Sequence, residues 1–344
     1  MRRLLATLVG AASLGQVVAA GEHDAPVPVD KAIETLAALE STYEGYRWQF
    51  RRTFHKSANP TALNAAELEF GDPLPWYRAG SVSFDLVNRY YRAEYDMVNR
   101  WSGGAADYIA KRGGVSFDGT SYRDWERSAH GTELPPLDAA PTIEANGESL
   151  PVGPLLGVIS DTIKGEDTFT VRSAGWGRAY LPPYWPTYDS IERPFQPLSE
   201  ILAERRDRGD SIQVQATSEG VWIVQMPHHN VEGFIRLWVD PRQGGVVTKA
   251  EWLNGEPPRV WQRAFVRLRA VCDGISIPEE IHHVNTIDGT AYRTKISNLV
   301  LNPAFTPEEF QVRFPEGTMV DDFIAGVAYV VGSDPEALPR YPLP

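Results

Sequence analysis

The sequence predicts a mainly β fold: a curved antiparallel sheet or incomplete β-barrel, with an N-terminal helix and a few short helices packed on it. Three observations lead to this fold class. Apolar residues recur with a period of two over most of the chain, which is typical of half-buried strands. Asp-Gly and Asn-Gly pairs separate many of these segments and favour tight hairpins. One segment with helical spacing precedes all the strands.

The helix is predicted from apolar residues at three- and four-residue spacing, between an N-cap candidate, Asp30, and Gly45. Directly afterwards the period changes to two, and Tyr46, Trp48 and Phe50 alternate with polar residues. We therefore expect a helix over about residues 31–44 that docks on the sheet, followed by a strand with one aromatic face. The apolar stripe of the helix consists of Ala32, Ile33, Leu36, Leu39 and Tyr43.

Strand signals recur from here almost to the end of the chain. The period-two segments are 82–86, 91–97, 115–117, 122–125, 212–217, 221–226, 234–240, 246–253, 260–271, 275–277, 281–287 and 291–301. Several connections contain a residue pair that tolerates the positive φ of tight turns. These pairs are Asp118-Gly119, Asn254-Gly255, Asp273-Gly274 and Asp288-Gly289. A long meander of such hairpins must curl or close to protect its edges, which favours a half-barrel.

The middle of the chain, residues 150–210, departs from this pattern. We predict that it is an insertion that covers one face or mouth of the sheet. An apolar stretch at 155–159 favours a short helix. Leu198, Ile201 and Leu202 favour a second amphipathic helix near the end of the insertion.

Within this insertion, the segment 180–188 is an aromatic, proline-rich loop without a regular period, and it contains Tyr184 and Trp185. Two interpretations stay open. The loop is a lid or rim for an apolar ligand, with proline holding the aromatic rings in place at little entropic cost. Alternatively, it is a stiff loop that packs across the open face of the sheet, because aromatic clusters are ordinary core filler.

The N-terminus has the layout of a secretory signal peptide. Arg2 and Arg3 precede an apolar run at 4–18, which is shorter than the roughly 20 residues that a membrane span needs. We therefore expect an exported protein, periplasmic or secreted, that does not span the membrane. The predicted organisation is a signal peptide at 1–20, a flexible leader at 21–29, a single β domain at 30–332 and a C-terminal tail at 333–344.

Composition excludes several classes of protein. The formal net charge is −12 and there is no basic run, so we expect no binding to nucleic acid. Cys272 is the only cysteine, which rules out an intramolecular disulfide. No cysteine stands at the predicted cleavage site to carry a lipid anchor. The chain is rich in aromatic residues, with 10 Trp, 14 Tyr and 13 Phe, which strands and apolar pockets use.

The opening helix at 32–43, followed by the aromatic strand at 46–50, resembles the start of the LolA/LolB family. The sequences TPEEF at 306–310 and FPEGT at 314–318, followed by Val320-Asp321, are similar to the end of larger LolA-like exported proteins. In this family, a curved, incomplete barrel is plugged by helices and leaves an apolar cavity for the acyl chains of lipoproteins. The resemblance implies that fold and an apolar or lipidated ligand. The middle insertion departs from the compact carriers, and no functional residue is carried over.

Histidines are the first candidates for chemistry, because imidazole is the commonest metal ligand. Two pairs stand out, His228-His229 and His282-His283. Adjacent strand residues point to opposite faces, so neither pair can chelate a metal as a unit. No CxxC or HExxH motif completes a site. We therefore predict no metal site and no cofactor, and expect these histidines to face solvent or to end strands.

The other candidates are weaker. Asp321 and Asp322 beside Glu316 are a possible acid–base pair, but the sequence around them is more typical of a turn into a last strand, with Asp321 hydrogen-bonded to backbone. Cys272 follows an apolar strand and precedes Asp273, which disfavours a reactive thiolate. There is no GxSxG elbow and no phosphate-binding loop. We predict no catalytic residue.

Three functions remain, in decreasing order of support. The first is a non-enzymatic exported protein whose half-barrel binds an apolar ligand, either a lipid or a lipidated partner. The second is a scaffold whose barrel is filled by its own helices, and the third is a hydrolase of unknown substrate. The candidate ligand-binding residues are Trp48, Phe50, Tyr184, Trp185, Trp222 and Trp238. The oligomeric state is left open.

Overall fold

Consecutive hairpins build most of the molecule, as the period-two segments predict. The computed structural model describes residues 25–100, 108–131, 143–145, 148–150, 156–161, 197–227, 233–272, 274–332 and 341–342. Seventeen of the described strands form one large sheet, and β7 and β8 form a separate two-stranded sheet. The strands are β1 Ala25–Pro26, β2 Gly45–Ser57, β3 Phe70–Asp85, β4 Tyr90–Arg100, β5 Tyr108–Phe117, β6 Tyr122–Gly131, β7 Ile143–Ala145, β8 Glu148–Leu150, β9 Leu156–Ser160, β10 Gln213–Ala216, β11 Trp222–Pro227, β12 Gly233–Asp240, β13 Val246–Asn254, β14 Arg259–Cys272, β15 Ile275–Asn285, β16 Thr290–Leu301, β17 Met319–Asp322, β18 Val327–Val330 and β19 Tyr341–Pro342.

The large sheet consists of two meanders joined along one seam. Strands β10 to β16 follow one another in space, and so do β2 to β6. The seam is the antiparallel pair β16–β2, in which Ile296 lies opposite Phe50. Beyond β6 the order continues through β9, β17, β18 and β19, and β1 lies at the other edge beside β10. The sheet is not closed into a barrel, so the predicted mainly β fold with a curved, incomplete barrel is confirmed.

One pair of strands is an exception to the antiparallel pattern. β9 and β17 run parallel, with Val158 opposite Asp321. Parallel strands need a long connection and leave no hairpin signal in the sequence, so local periodicity could not predict this pair. β17 is also not the last strand, because β18 and β19 follow it.

Two helices are described, α1 Val29–Glu40 and α2 Leu198–Asp207. Both were predicted, but α1 ends earlier than expected and begins after Pro28, with Asp30 inside its first turn. The end of α1 meets the start of α2, where the Ser199 backbone N–H donates to the Glu40 carboxylate at 3.2 and 3.3 Å. The apolar residues that the helices add to the main core are Ala32, Leu36, Leu198, Ile201 and Leu202.

The predicted helix at 155–159 is wrong, because this segment forms strand β9 between β6 and β17. A short apolar run fits a buried strand and a buried helix equally well, and here the neighbouring strands decide. Two residues of the predicted leader also lie in regular structure, since Ala25 and Pro26 pair with β10. The Asx-Gly turns are confirmed where they are described: Gly119 and Gly289 have φ of 90° and 71°.

Candidate functional site

The face of the sheet that α1 and α2 cover is called the inner face. Trp48, Phe50 and Trp222 are buried on this face, in the same core cluster as Leu36 of α1 and Leu202 of α2. The helices therefore help to fill this part of the inner face, and three of the six candidate ligand-binding residues belong to the packed core.

The other candidates are not brought to this cluster. Trp238 lies opposite Ile223 and Lys249, on the other face of the sheet, here called the outer face. The Lys249 ammonium lies 4.3 Å from the centre of its ring. Trp238 faces outward because side chains alternate along β12, and Leu237 and Val239 on either side of it point to the inner face. Tyr184 and Trp185 lie outside the described residues.

A row of residues in direct register crosses the inner face and begins inside the packed core, at Ile296 and Phe50; we call it the aromatic row. It consists of Ile296, Phe50, Gly80, Tyr95, Gly113, Glu126, Leu156 and Met319. The two glycines leave room for the rings. A Cβ at Gly80 would lie 3.1 Å from the Phe50 ring, and a Cβ at Gly113 would collide with the Tyr95 hydroxyl. Phe50 and Tyr95 therefore lie flat against the sheet.

The far end of the aromatic row is open to solvent. Leu156 and Met319, which are register partners in β9 and β17, are 48% and 47% exposed. Beside them the Tyr95 hydroxyl lies 3.3 Å from the Glu126 carboxylate, which pairs with Lys111 at 2.6 Å. This end of the inner face thus combines exposed apolar side chains with polar groups that are already paired.

A second row, one inward-facing position further along the strands, is positively charged; we call it the cationic row. It contains Arg52, Arg78 and Lys111, and Arg52 lies directly opposite Arg78. Arg52 is only 1% exposed. Its Nε donates to the Thr294 hydroxyl at 2.9 Å, and its guanidinium lies 4.6 Å from the centre of the Tyr292 ring. Sequence analysis missed this row.

The electrostatics of the cationic row follow from burial and from like charge. Burial and the positive charge of Arg52 lower the pKa of Arg78 to about 10. The same two causes lower the pKa of His283 to about 3, so this histidine is neutral at neutral pH. His283 stacks on Tyr292 with ring centres 4.3 Å apart. The field of Arg52 therefore reaches two neighbouring groups in a desolvated environment.

On the outer face of β12 to β16, buried carboxylates hold the arginines in place. Glu280 is fully buried and contacts Arg267 at 3.0 Å, His282 at 3.5 Å, and Arg293. Its pKa is lowered, because the hydrogen bond and charge of Arg293, with the charges of His282 and Arg267, outweigh desolvation. In a second network, Glu251 contacts its neighbours at 2.9 to 3.6 Å, and these neighbours are Arg236, Lys249 and Arg263.

This second network also anchors the β2–β3 connection. Arg263 donates to the backbone carbonyls of Thr61, at 3.1 Å, and Ala62. Ala62 and Leu68 of the connection join a small core with Phe265 on the same face. The arrangement holds a loop against the sheet, and the cations that surround each carboxylate make these networks structural.

The histidine pair at 282–283 points to opposite faces, as predicted, with His282 beside Glu280 and His283 beside Tyr292. The expectation that these histidines face solvent or end strands is wrong, because both lie within β15 and His283 is buried. Aromatic rings from strands that do not pair with β15 pack against them: Phe70 lies 5.0 Å from the His282 ring and Trp252 lies 5.4 Å from the His283 ring. His228 and His229 lie outside the described residues.

Among the residues that the structure describes, no group of three or more histidine, cysteine or acidic side chains is placed to hold a metal ion. Asp322, not Asp321, makes the turn contacts, and accepts from the Ile324 and Ala325 backbone N–H groups at 3.0 and 2.9 Å. Cys272 ends strand β14. Neither of the two helices in the described residues has the length and apolar character to cross a membrane.

Comparison with known proteins gives structural neighbours only. No family model and no curated protein matches the chain. The chain is similar to a DUF1329 family protein from Desulfovibrio piger, with 11% identity over 83% of this chain and 97% of that chain and a TM-score of 0.39. It is similar to a domain from Vibrio parahaemolyticus described as an outer membrane lipoprotein-sorting protein domain, with 9% identity, 83% and 97% coverage and a TM-score of 0.40. A LolA superfamily protein from Nitrosomonas europaea has 10% identity, 83% and 98% coverage and a TM-score of 0.30.

Proposed function

We propose that this protein is a non-enzymatic carrier that binds an apolar ligand, a lipid or the lipid part of a lipidated protein, on the inner face of its open sheet. The observation that carries this proposal is the exposed end of the aromatic row. Leu156 and Met319 are adjacent, half exposed and on the inner face of the sheet, where a bound chain would cover them. The row continues inward from them to Tyr95 and Phe50.

Apolar contact alone is a sufficient driving force for such a ligand. Each CH₂ group that leaves water contributes about 0.8 kcal/mol, so a long chain binds usefully without a covalent or metal contact. The signal-like N-terminus supports a periplasmic or secreted location for this carrier. Tyr184 and Trp185 remain part of the proposal as a lid or rim, whereas Trp238, on the outer face, is not part of it.

The test changes the exposed apolar pair. In the double variant Leu156→Gln/Met319→Gln, we expect the dissociation constant of the neutral fluorescent probe N-phenyl-1-naphthylamine to rise about tenfold or more, since two apolar contacts are lost. Both side chains are half exposed, so the melting temperature should stay within about 2 °C. Probe fluorescence and thermal unfolding measure the two effects.

The matched control is the double variant Val87→Gln/Ile287→Gln. These residues are 71% and 76% exposed and lie in the β3–β4 and β15–β16 turns. We expect this variant to bind the probe like the unchanged protein. Equal weakening by both double variants, or no binding by the unchanged protein, would contradict the carrier function.

The packed half of the inner face favours a second candidate, a scaffold filled by its own helices. Trp48 stacks on Phe84 with ring centres 5.4 Å apart, and Leu36 and Leu202 belong to the same core. If the unchanged protein binds no apolar probe, this alternative replaces the carrier.

A further inference from the structure

Basic side chains are gathered on the outer face, where strands β14, β15, β16 and β2 are neighbours. One residue from each of these strands stands in direct register, and the four are Arg267, Glu280, Lys295 and Arg51. Arg269 lies two residues beyond Arg267 on the same side of β14. We call Arg51, Lys295, Arg267 and Arg269 the basic patch, and all four are exposed. Because the strands come from distant parts of the chain, no basic run in the sequence announces this patch.

The nearby carboxylates do not neutralise the basic patch. Glu280 is buried and already contacts two arginines, and Glu279 pairs with Arg267 at 3.2 Å. Among the residues that the structure describes, the other three members of the patch form no ion pair with an acidic side chain. The patch therefore keeps an excess of positive charge at the surface of a chain whose formal net charge is −12.

Two cations of the patch stand side by side. Lys295 in β16 lies directly opposite Arg51 in β2. Like charges in this position destabilise an antiparallel pair. The guanidinium of Arg51 lies 5.6 Å from the centre of the Tyr77 ring, and the Lys295 ammonium has no hydrogen bond within the described part of the chain. Two exposed cations held at adjacent positions suit a partner that presents several negative charges.

The surroundings of this pair favour lipid headgroups over a protein partner. Its neighbours on the outer face are polar or small, namely Gln49, Ser297 and Ala79. The core of a protein interface is rich in apolar and aromatic residues, whereas adsorption to an anionic membrane needs only basic side chains near its surface. From β14 to β2 the patch crosses three strand spacings, about 14 Å, so its charges are spread along one surface.

We propose that the basic patch is a docking surface for an anionic membrane, at which Arg51 and Lys295 contact the phosphate groups of lipid headgroups. The contact is electrostatic and lies on the outer face, so it does not depend on the carrier function of the inner face. The negative net charge does not prevent docking, because charges further than about 8 Å from the membrane are largely screened at physiological ionic strength. Docking through the outer face also leaves the inner face accessible.

The experiment is cosedimentation of the mature protein with vesicles at neutral pH. The vesicles contain phosphatidylcholine alone, or phosphatidylcholine with an equal share of phosphatidylglycerol. We expect binding to the anionic vesicles only, and its loss when sodium chloride is raised from about 20 mM to about 300 mM. In Arg51→Gln/Lys295→Gln the partition coefficient should fall at least about tenfold, since each basic residue near an anionic surface contributes about fivefold.

The matched control is Lys31→Gln/Arg259→Gln, which removes the same two types of side chain and the same net charge. Lys31 lies in α1 and Arg259 at the start of β14, and both are exposed outside the basic patch. This variant should bind the anionic vesicles like the unchanged protein. An equal loss in the two double variants would show an effect of net charge and overturn the proposal.

The remaining outcomes are also decisive. Equal binding to both kinds of vesicle would show adsorption through apolar contact and overturn the docking surface, as would no binding to anionic vesicles at low salt. Binding of polyglutamate without binding to anionic vesicles would identify an acidic protein as the partner and overturn the membrane. If the patch variant does not fold, Lys295→Gln alone replaces it, with an expected loss of about fivefold. Binding of the neutral fluorescent probe reports the carrier function separately.

Discussion

The two arginine clusters of this protein differ in what surrounds the charge. On the outer face, Arg267 and Arg293 converge on Glu280, a carboxylate that the chain itself supplies. On the inner face, Arg52 and Arg78 face each other across neighbouring strands, with aromatic and hydroxyl groups around Arg52. Burial also differs: Arg267 and Arg293 are 57% and 38% exposed around a buried carboxylate, whereas Arg52 itself is 1% exposed.

The comparison teaches that one sheet holds its arginines in two different environments. Where a carboxylate holds an arginine, the arginine fixes the positions of strands and loops, and removing either partner leaves a charge that is costly to bury. Where Arg52 lies opposite Arg78, burial and the charge of Arg52 lower the pKa of Arg78 to about 10, and the buried guanidinium of Arg52 packs on the Tyr292 ring.

The largest effect is expected for Glu280→Gln. The substitution removes the charge that Arg267, Arg293 and His282 share, so the free energy of unfolding should fall by about 3 kcal/mol at pH 7. Urea unfolding measures it.

The neighbouring Glu279→Gln is the control for this substitution. Glu279 also pairs with Arg267, at 3.2 Å, but it is exposed, so its loss should cost less than about 1 kcal/mol. An equal loss of unfolding free energy in Glu279→Gln and Glu280→Gln would contradict the structural role given to the buried carboxylate of the outer face.

An intermediate effect is expected for His283 and depends on pH. The pKa of His283 is about 3 in the folded protein and 6.5 ordinarily, so the unfolded chain binds the proton more readily between these values. The free energy of unfolding contributed by this group is therefore complete above about pH 6.5 and is lost as the pH falls towards 3. Between pH 7 and pH 4, the free energy of unfolding of His283→Phe should therefore fall by about 2–3 kcal/mol less than that of the unchanged protein.

Urea unfolding of both proteins from pH 8 to pH 4 measures this difference. Every other titrating group is common to the two chains, so its contribution cancels when the curves are subtracted. The difference should be flat from pH 7 to pH 8. A flat difference down to pH 4 would mean that His283 accepts a proton in the folded protein, and that the field of Arg52 is weaker than inferred.

The smallest effect on stability is expected for Arg78→Met in the ligand-free protein. The variant removes one of two like charges that lie opposite each other, which offsets the loss of the contacts of a buried side chain, so the free energy of unfolding should change by less than about 1 kcal/mol. Arg263→Met, on the outer face, is the comparison variant and should cost about 2–4 kcal/mol, because Glu251 loses a cation and the β2–β3 connection loses its anchor. A loss of more than about 2 kcal/mol in Arg78→Met would show that Arg78 is structural in the same way.

Much of the fold could be predicted from sequence, because hairpins are local. Strand alternation and the Asx-Gly turns lie within a few residues of each other, so they indicate both the strands and their connections. The prediction of a helix at 155–159 was wrong, because a short apolar run carries no information about its partner strands. The parallel pairing of β9 with β17 depends on contacts between distant parts of the chain, which periodicity does not record.

The candidate site was predicted less well, although one signal was present. Arg52 falls on the same alternation as Tyr46, Trp48 and Phe50, and this phase places it on the inner face. A charged residue at the end of an aromatic run is usually assigned to solvent, so the signal was passed over. That Arg78 lies opposite Arg52 depends on the register of β2 and β3, which a bulge between Thr53 and His55 shifts further along the strands.

The seam between β2 and β16 has a consequence for how the chain is made. β2 is completed on one side early, by its hairpin with β3, but its other side has to wait for β16, more than 200 residues later. Until then it is a long unpaired strand edge, which is a hazard for aggregation in any nascent chain. Charged side chains are the usual protection of such edges, and β2 contains four of them, Arg47, Arg51, Arg52 and Lys56. Three of them, Arg47, Arg51 and Lys56, are exposed in the finished protein, so the charges that would keep this edge in water during synthesis also face water after the two halves meet.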